Sequence, residues 1–380
     1  MIVSQELDSG VRTASGAKAP PGSSSRLSQF LQQRVLRGRT LLWASLILVP
    51  VAVVARLLEM DDVSLFLLSV LALIPLAWII GEATEQVGEY TGPAIAGLLN
   101  ATFGNAPELI ISLFAVSSGL YEVVRASLVG SVIGNLLLVL GCSLVAGGRG
   151  RIGRRSAYSA VGMVALAIVL FGVSSGVTGP IDPSASGTNG IAIAVAVVLF
   201  ATYCAVTVRS VLQERRRHRE EGTEGDPEWS LPRAVVTLGL ATVATVAVSE
   251  VLTSSIEEFG AAAGLSDMFV AAVIVAIAGN AAEHGGAVVI AARGNVLLAA
   301  EIGLQSAAQV ATGLIPAVVL LSLVISPLPL VFTPVEFIGM AVATLLPALL
   351  FMGGRTTRGH GIALCTAYAG VVAAFFFAVG

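Results

Sequence analysis

The sequence predicts an all-α polytopic membrane protein, and three observations carry that expectation. The 380 residues are 56% hydrophobic and only 12% charged, whereas a soluble domain carries about a quarter charged residues. A soluble fold needs those charges on its surface, so most of this surface must face lipid. Apolar runs of about 20 residues, the length that crosses a bilayer, recur along the chain, which has a mean hydropathy of +0.89. Lys and Arg gather between alternate runs, as they do in cytoplasmic loops.

The elements follow in order. Residues 1–40 hold Ser, Gly, Ala and Pro without any apolar period, and this composition reads as a disordered cytoplasmic tail. The first apolar run starts near Leu41 and is long enough to span, which argues against a cleaved signal peptide. Candidate spans cover 41–58, 63–81, 92–118, 124–147, 156–175, 189–208, 233–256, 267–292, 297–325, 335–352 and 360–379, eleven in all. The runs 92–118 and 267–292 exceed the length needed and hold polar residues at their middles, as interrupted transporter helices do. The segment 210–231 carries Arg215–Arg217, His218 and Arg219, then Glu220, Glu221, Glu224, Asp226 and Glu228, and reads as a solvated cytoplasmic linker.

The basic residues test this count. Nineteen of the 21 Lys and Arg residues fall on the side of the amino-terminal tail, and only Arg56 and Arg125 fall on the other. The amino terminus is therefore expected inside and the carboxyl terminus outside. The net charge of −3 offers no basic surface, so no nucleic-acid partner is expected. Cys142, Cys204 and Cys365 stand alone in apolar runs; neither a disulfide framework nor a cysteine metal site is expected.

An internal repeat organises the rest. An offset of 175 residues lays Gly104-Asn105-Ala106-Pro107-Glu108 on Gly279-Asn280-Ala281-Ala282-Glu283, and Ser131 on Ser306. Gly and Ala matches alone would mean little, because small residues are common in membrane helices. Asn and Glu matched deep in apolar runs mean more. The motif spans are third and eighth in the count, so they cross in opposite directions. The expected architecture is a leading helix at 41–58 and two inverted five-helix repeats at 63–209 and 232–380. Such a pair places its site near the midplane, where the halves meet.

A carboxylate near the bilayer centre costs about 2.5–3.5 kcal/mol on insertion scales. Glu108 and Glu283 together then cost about 5–7 kcal/mol, with no basic residue mid-span to pair with them. They are left to bind protons or a metal ion. Asn105 and Glu108, like Asn280 and Glu283, are three apart and share a helix face. Pro107, Gly104 and Gly279 break backbone bonds and free carbonyl oxygens. Two such half-sites make an oxygen cage, which suits Ca²⁺ best and Mn²⁺ next. Two facing carboxylates cannot both stay ionised in a low dielectric, so protons take the place of a departing metal. Ser131, Ser306 and Gln309 either complete the site or satisfy a helix backbone or a helix contact. Glu82 and Glu250 either line access funnels or are interfacial charges. His284 is either a proton relay beside Glu283 or a packing residue.

The run Gly97–Ile111, with its Gly104-Asn105-Ala106-Pro107-Glu108 core, resembles the first repeat motif of the cation/proton exchangers, the Ca²⁺/H⁺ antiporters of the Ca²⁺/cation antiporter superfamily. Gly279-Asn280-Ala281-Ala282-Glu283-His284 is similar to their second motif. Gly130-Ser131 with Asn135–Gly141, and Ser249-Glu250, also resemble the family. Pro107 stands where the family usually has Thr and is similar to the Na⁺/Ca²⁺ branch. The resemblance implies eleven spans, Ca²⁺ held by Glu108 and Glu283, and Ca²⁺ export driven by inward proton flow across an inner or plasma membrane. The expected partners are the bilayer, Ca²⁺ and protons, with no cofactor, and with a homo-oligomer left open. Three rivals stay on the table. A Na⁺/Ca²⁺ exchanger differs in its coupling ion, a passive channel needs no protonatable cage, and an intramembrane hydrolase is disfavoured by the lack of H-E-x-x-H.

Overall fold

The computed structural model describes residues 40–177, 190–221, 228–329 and 331–378. The tail expected at 1–40 lies outside these apart from Thr40, as do residues 222–227 of the expected linker. The described chain is almost wholly helical. In order the helices are α1 (Thr40–Leu57), α2 (Asp62–Thr91), α3 (Pro93–Phe103), α4 (Ala106–Ser117), α5 (Tyr121–Gly147), α6 (Arg154–Val177) and α7 (Gly190–Glu221). Then follow α8 (Leu231–Ala263), α9 (Asp267–Gly279), α10 (Ala281–Ala292), α11 (Val296–Ile325), α12 (Pro334–Leu350) and α13 (Arg358–Phe377). Gly150–Arg151 and Arg355–Thr356 pair as a short antiparallel ribbon between the loops after α5 and α12.

Among the described residues, eight helices are long and apolar enough to cross a membrane, and the pair α9–α10, bent by 61°, makes a ninth. The runs expected at 92–118 and 335–352 appear as the shorter pieces α3–α4 and α12. Three boundaries need correction. Helix α2 runs to Thr91 rather than stopping at 81, so Glu82 and Glu85 sit inside a 30-residue helix and not at its end. It stops where Gly92 takes a positive φ of 79° ahead of Pro93. Glu250 and Glu257 likewise lie within α8. The segment expected as a linker from 210 is helical through Glu221, since its Arg and Glu residues are good helix formers and no Gly interrupts them before Gly222.

The offset of 175 recurs in the backbone. Helix breaks fall at Gly104–Asn105 and at Asn280, and the π-helical turns Gly134–Val139 in α5 and Val310–Leu314 in α11 match within a residue. A third π turn, Val270–Val275 in α9, has no counterpart in α3. The core is made of small side chains that let helices touch. A Cβ on Gly130 of α5 would overlap the Ala272 carbonyl of α9. Helices α2 and α8 form the most extensive contact, and α1 packs on both. Each broken segment leans on the long helix of the other half, α4 on α8 and α10 on α2, which brings the two breaks together in the interior.

Candidate functional site

Pro107 explains the first break. It offers no N–H, and its ring collides with the carbonyl four residues back, which is that of Phe103, the last residue of α3. The second motif has Ala282 there, yet the chain breaks at the same place. Here Asn280 donates its side-chain amide to the Ala276 carbonyl (2.9 Å), a local bond that competes with helix continuation, and Gly279 adds flexibility. Asn105 (φ −105°, ψ 15°) and Asn280 (φ −93°, ψ 8°) are the N-cap residues of α4 and α10. This corrects the helical-spacing argument for them: they reach the site because the helix stops, not because they share a helix face with the glutamates.

Glu108 and Glu283 each stand in the first turn of a helix, where the positive end of the macrodipole favours a carboxylate. Glu108 is 7% exposed, and its Oε1 lies against the opposite half: a Cβ on Gly279 would sit 3.2 Å from it. Its Oε2 is buried with no hydrogen-bond partner. Glu283 is half-buried and accepts a short hydrogen bond from Ser306. A small cavity lined by Glu108, Ile111, Ser127, Leu128, Ser131, Val275 and Ala276 lies between α4, α5 and α9.

The two asparagines are held across the repeat boundary. Asn105 Nδ2 donates to Gln309 Oε1 (3.3 Å) and Asn280 Nδ2 to Ser131 Oγ (2.9 Å). With bonds to Ser131 and Ala276, the Asn280 amide nitrogen is fully used, which fixes the amide and turns its other end inward. That oxygen, Oδ1, is buried without a partner. A buried carboxylate oxygen and a buried amide oxygen left without donors are costly unless a cation or a proton joins them. Among the described residues no group of three or more His, Cys, Asp or Glu surrounds one metal position. Carboxylate and amide oxygens are the donors that hard cations prefer.

A family model described as sodium/calcium exchanger protein matches residues 62–212 and 233–377. The chain belongs to that family. Among its relatives is the Ca²⁺/H⁺ antiporter ChaA of Bacillus subtilis (strain 168), 37% identical over 86% of this chain and 96% of that one. Vacuolar cation/proton exchanger 1a of Oryza sativa subsp. japonica is 34% identical over 87% of this chain and 78% of its own. The solved structure of selenium-substituted Ca²⁺/H⁺ antiporter protein YfkE superimposes with a TM-score of 0.75 at 31% identity, covering 89% of this chain and 99% of that one.

Within this exchanger-family fold the other expected residues separate. Ser131, Ser306 and Gln309 all touch motif side chains. Gly104 and Gly279 flank the breaks. His284 turns its ring toward Gly134 of α5, with Nε2 buried and without a partner. Glu82 is half-buried and Glu250 exposed, and neither lines the cavity. Three polar residues went unnoticed as site candidates. Ser127 lines the cavity; Asn135, fully buried, donates to the Ser131 carbonyl (3.0 Å); Ser112 is buried one turn beyond Glu108. The spacing Ser127, Ser131, Asn135 is one polar stripe at i, i+4, i+8 on α5, a signal present in the sequence.

Proposed function

We propose that this chain is a secondary active transporter that exchanges Ca²⁺ for protons by alternating access around Glu108 and Glu283. The observation that carries the reading is the Glu108 carboxylate seated against Gly279, so that the first motif's charge stands at the second motif's break. In this mechanism Ca²⁺ takes oxygens from Glu108, Glu283, Asn105 and Asn280, with backbone oxygens of Gly104 and Gly279. Ser131 and Gln309 hold the asparagine amides, and Ser306 orients Glu283. When Ca²⁺ leaves, protons neutralise the carboxylates, because two bare charges are costly in so dry a place. His284, next to Glu283, passes protons toward the α5 side. Glu82 and Glu250 attract cations to the two mouths. The relatives' names support the choice of Ca²⁺ and H⁺; Mn²⁺ shares the same hard-oxygen chemistry.

The proposed topology has eleven spans in an inner or plasma membrane, with α3–α4 as the third and α12 as the tenth. The two halves, 63–209 and 232–380, are then inverted, and residues 210–231 join them on the cytoplasmic side. Loop contacts favour this count. On it, the ribbon of 150–151 with 355–356 and the bond from Tyr90 to the Trp229 carbonyl (2.6 Å) both lie inside. The Arg125–Glu336 pair (2.9 Å) and the Tyr121–Ser326 hydrogen bond both lie outside. Removing α12 would put the ribbon partners on opposite faces, and removing α3–α4 would do the same to Tyr90 and Trp229.

Everted membrane vesicles test the function. An imposed pH gradient should drive radiolabelled Ca²⁺ uptake in sodium-free medium. A strict sodium requirement would replace this reading with Na⁺/Ca²⁺ exchange, and flux insensitive to pH would replace it with a channel.

A further inference from the structure

Two of the three cysteines, far apart in sequence, meet in the fold. Cys142 Sγ of α5 and Cys365 Sγ of α13 are 3.9 Å apart, in van der Waals contact. Both are free thiols and both are partly exposed. The contact rests on a glycine crossing. A Cβ on Gly361 would lie 2.6 Å from the Gly141 carbonyl oxygen, and one on Gly141 would lie 3.0 Å from the Cys365 backbone nitrogen. The helix backbones are thus already pressed together. A disulfide requires the sulfurs to close from 3.9 Å to the bond length of about 2.05 Å.

We propose that Cys142 and Cys365 form a redox-closable pair whose oxidation staples α13 to α5 and slows transport. The co-reactant is a small neutral peroxide that enters the membrane. One thiol, as its thiolate, attacks the peroxide oxygen and becomes a sulfenic acid, while the O–O bond breaks and water leaves with the displaced proton. The second sulfur then attacks the sulfenic sulfur, the S–S bond forms and a second water departs. Two thiols and one hydrogen peroxide give one disulfide and two waters.

The staple has a target. Helix α13 packs not only on the end of α5 but also on its π turn, Gly134–Val139. That turn contains Asn135, which bonds the Ser131 carbonyl, and Ser131 in turn holds Asn280. π turns are local irregularities found mostly at functional places in helices. A covalent tie below this one restrains the helix that carries Ser127 and Ser131. The rate effect rests on the Ca²⁺/H⁺ reading; the cross-link does not.

The test treats everted vesicles bearing the full chain with hydrogen peroxide. Non-reducing peptide mass spectrometry should find a peptide pair joined through Cys142 and Cys365. Ca²⁺ uptake should fall several-fold, and dithiothreitol should restore it. Cys142→Ser and Cys365→Ser should retain uptake and resist peroxide, whereas Cys204→Ser should remain sensitive. Should a serine variant fold poorly, Cys142→Ala serves in its place. The proposal is overturned by the absence of the linked peptide, by a linked peptide with unchanged uptake, or by inhibition that persists in both serine variants. Because the linked peptide is read without transport, a failed cross-link and a failed exchange reading are told apart.

Discussion

Replacing Gly279 by Ala adds one methyl group at the point where the two motifs meet. The new Cβ would stand 3.2 Å from Glu108 Oε1, 3.3 Å from its Cγ and 3.4 Å from its Cδ. That is tighter than ordinary contact, so the carboxylate must retreat by a few tenths of an ångström. Ca²⁺–oxygen distances span only about 2.3–2.6 Å, so a shift of this size matters to a ligand. Overpacking of this kind costs about 1–3 kcal/mol, and at about 1.4 kcal/mol per tenfold this raises the apparent Km for Ca²⁺ about five- to 150-fold. The melting temperature should change little, because the strain falls on the movable Glu108 side chain rather than on backbone and Ala is a better helix residue than Gly. Gly285 and Gly286 supply the control, since a Cβ on either meets nothing within 4 Å. Initial rates of vesicle uptake across a Ca²⁺ series give the Km values, and thermal unfolding in detergent checks folding. Gly285→Ala and Gly286→Ala should behave as the parent chain. A Gly279→Ala protein with the parent Km would refute the seating of Glu108 against the second break as the functional geometry.

Three further predictions follow from the same contacts. Glu108→Gln and Glu283→Gln should each abolish pH-driven Ca²⁺ uptake while leaving the melting temperature near the parent value; normal uptake by either variant means the site lies elsewhere. Ser131→Ala removes one of two bonds that hold the Asn280 amide, worth about 0.5–1.5 kcal/mol. The apparent Ca²⁺ affinity should fall about two- to twelvefold, as read from the same uptake series, with the maximal rate retained. Glu336, fully buried, pairs with Arg125, whose side chain is 15% exposed, and also caps α12 through Thr333. Glu336→Ala strands the arginine and should cost about 3 kcal/mol, the lower end for a buried pair. A drop of several degrees in detergent melting temperature checks it, and an unchanged melting temperature would count against the pair as a structural brace.

Much of this was legible in the sequence, for reasons that differ by residue. The break before Glu108 was legible because Pro107 forbids a continuous helix there. The break before Glu283 has no proline and was legible from Gly279, the excess length of the run 267–292 and the offset of 175. The charge deficit and the basic alternation pointed to a membrane protein, and two glutamates without basic partners marked the interior as functional. What escaped depends on the other half of the chain. Nothing local says that Asn280 donates to Ser131 or Asn105 to Gln309, since these bonds join residues 149 and 204 positions apart. The π turns need tertiary packing to form. Cys142 and Cys365 looked solitary because the glycine crossing that unites them is a property of two helices, and the extension of α2 beyond residue 81 was hidden by Glu82, Glu85 and Glu89, which reads as a helix end in an apolar-run count.

The central claim is that one position alternates between a divalent cation and protons on the same two carboxylates. Calorimetric titration of the purified protein with Ca²⁺ at neutral pH, repeated in buffers of different ionisation enthalpy, reads the protons released per ion bound. The account predicts net release, approaching two per Ca²⁺ as the pH is lowered and reduced in Glu108→Gln or Glu283→Gln wherever binding survives. Saturable Ca²⁺ binding with no proton release across that pH range would contradict it.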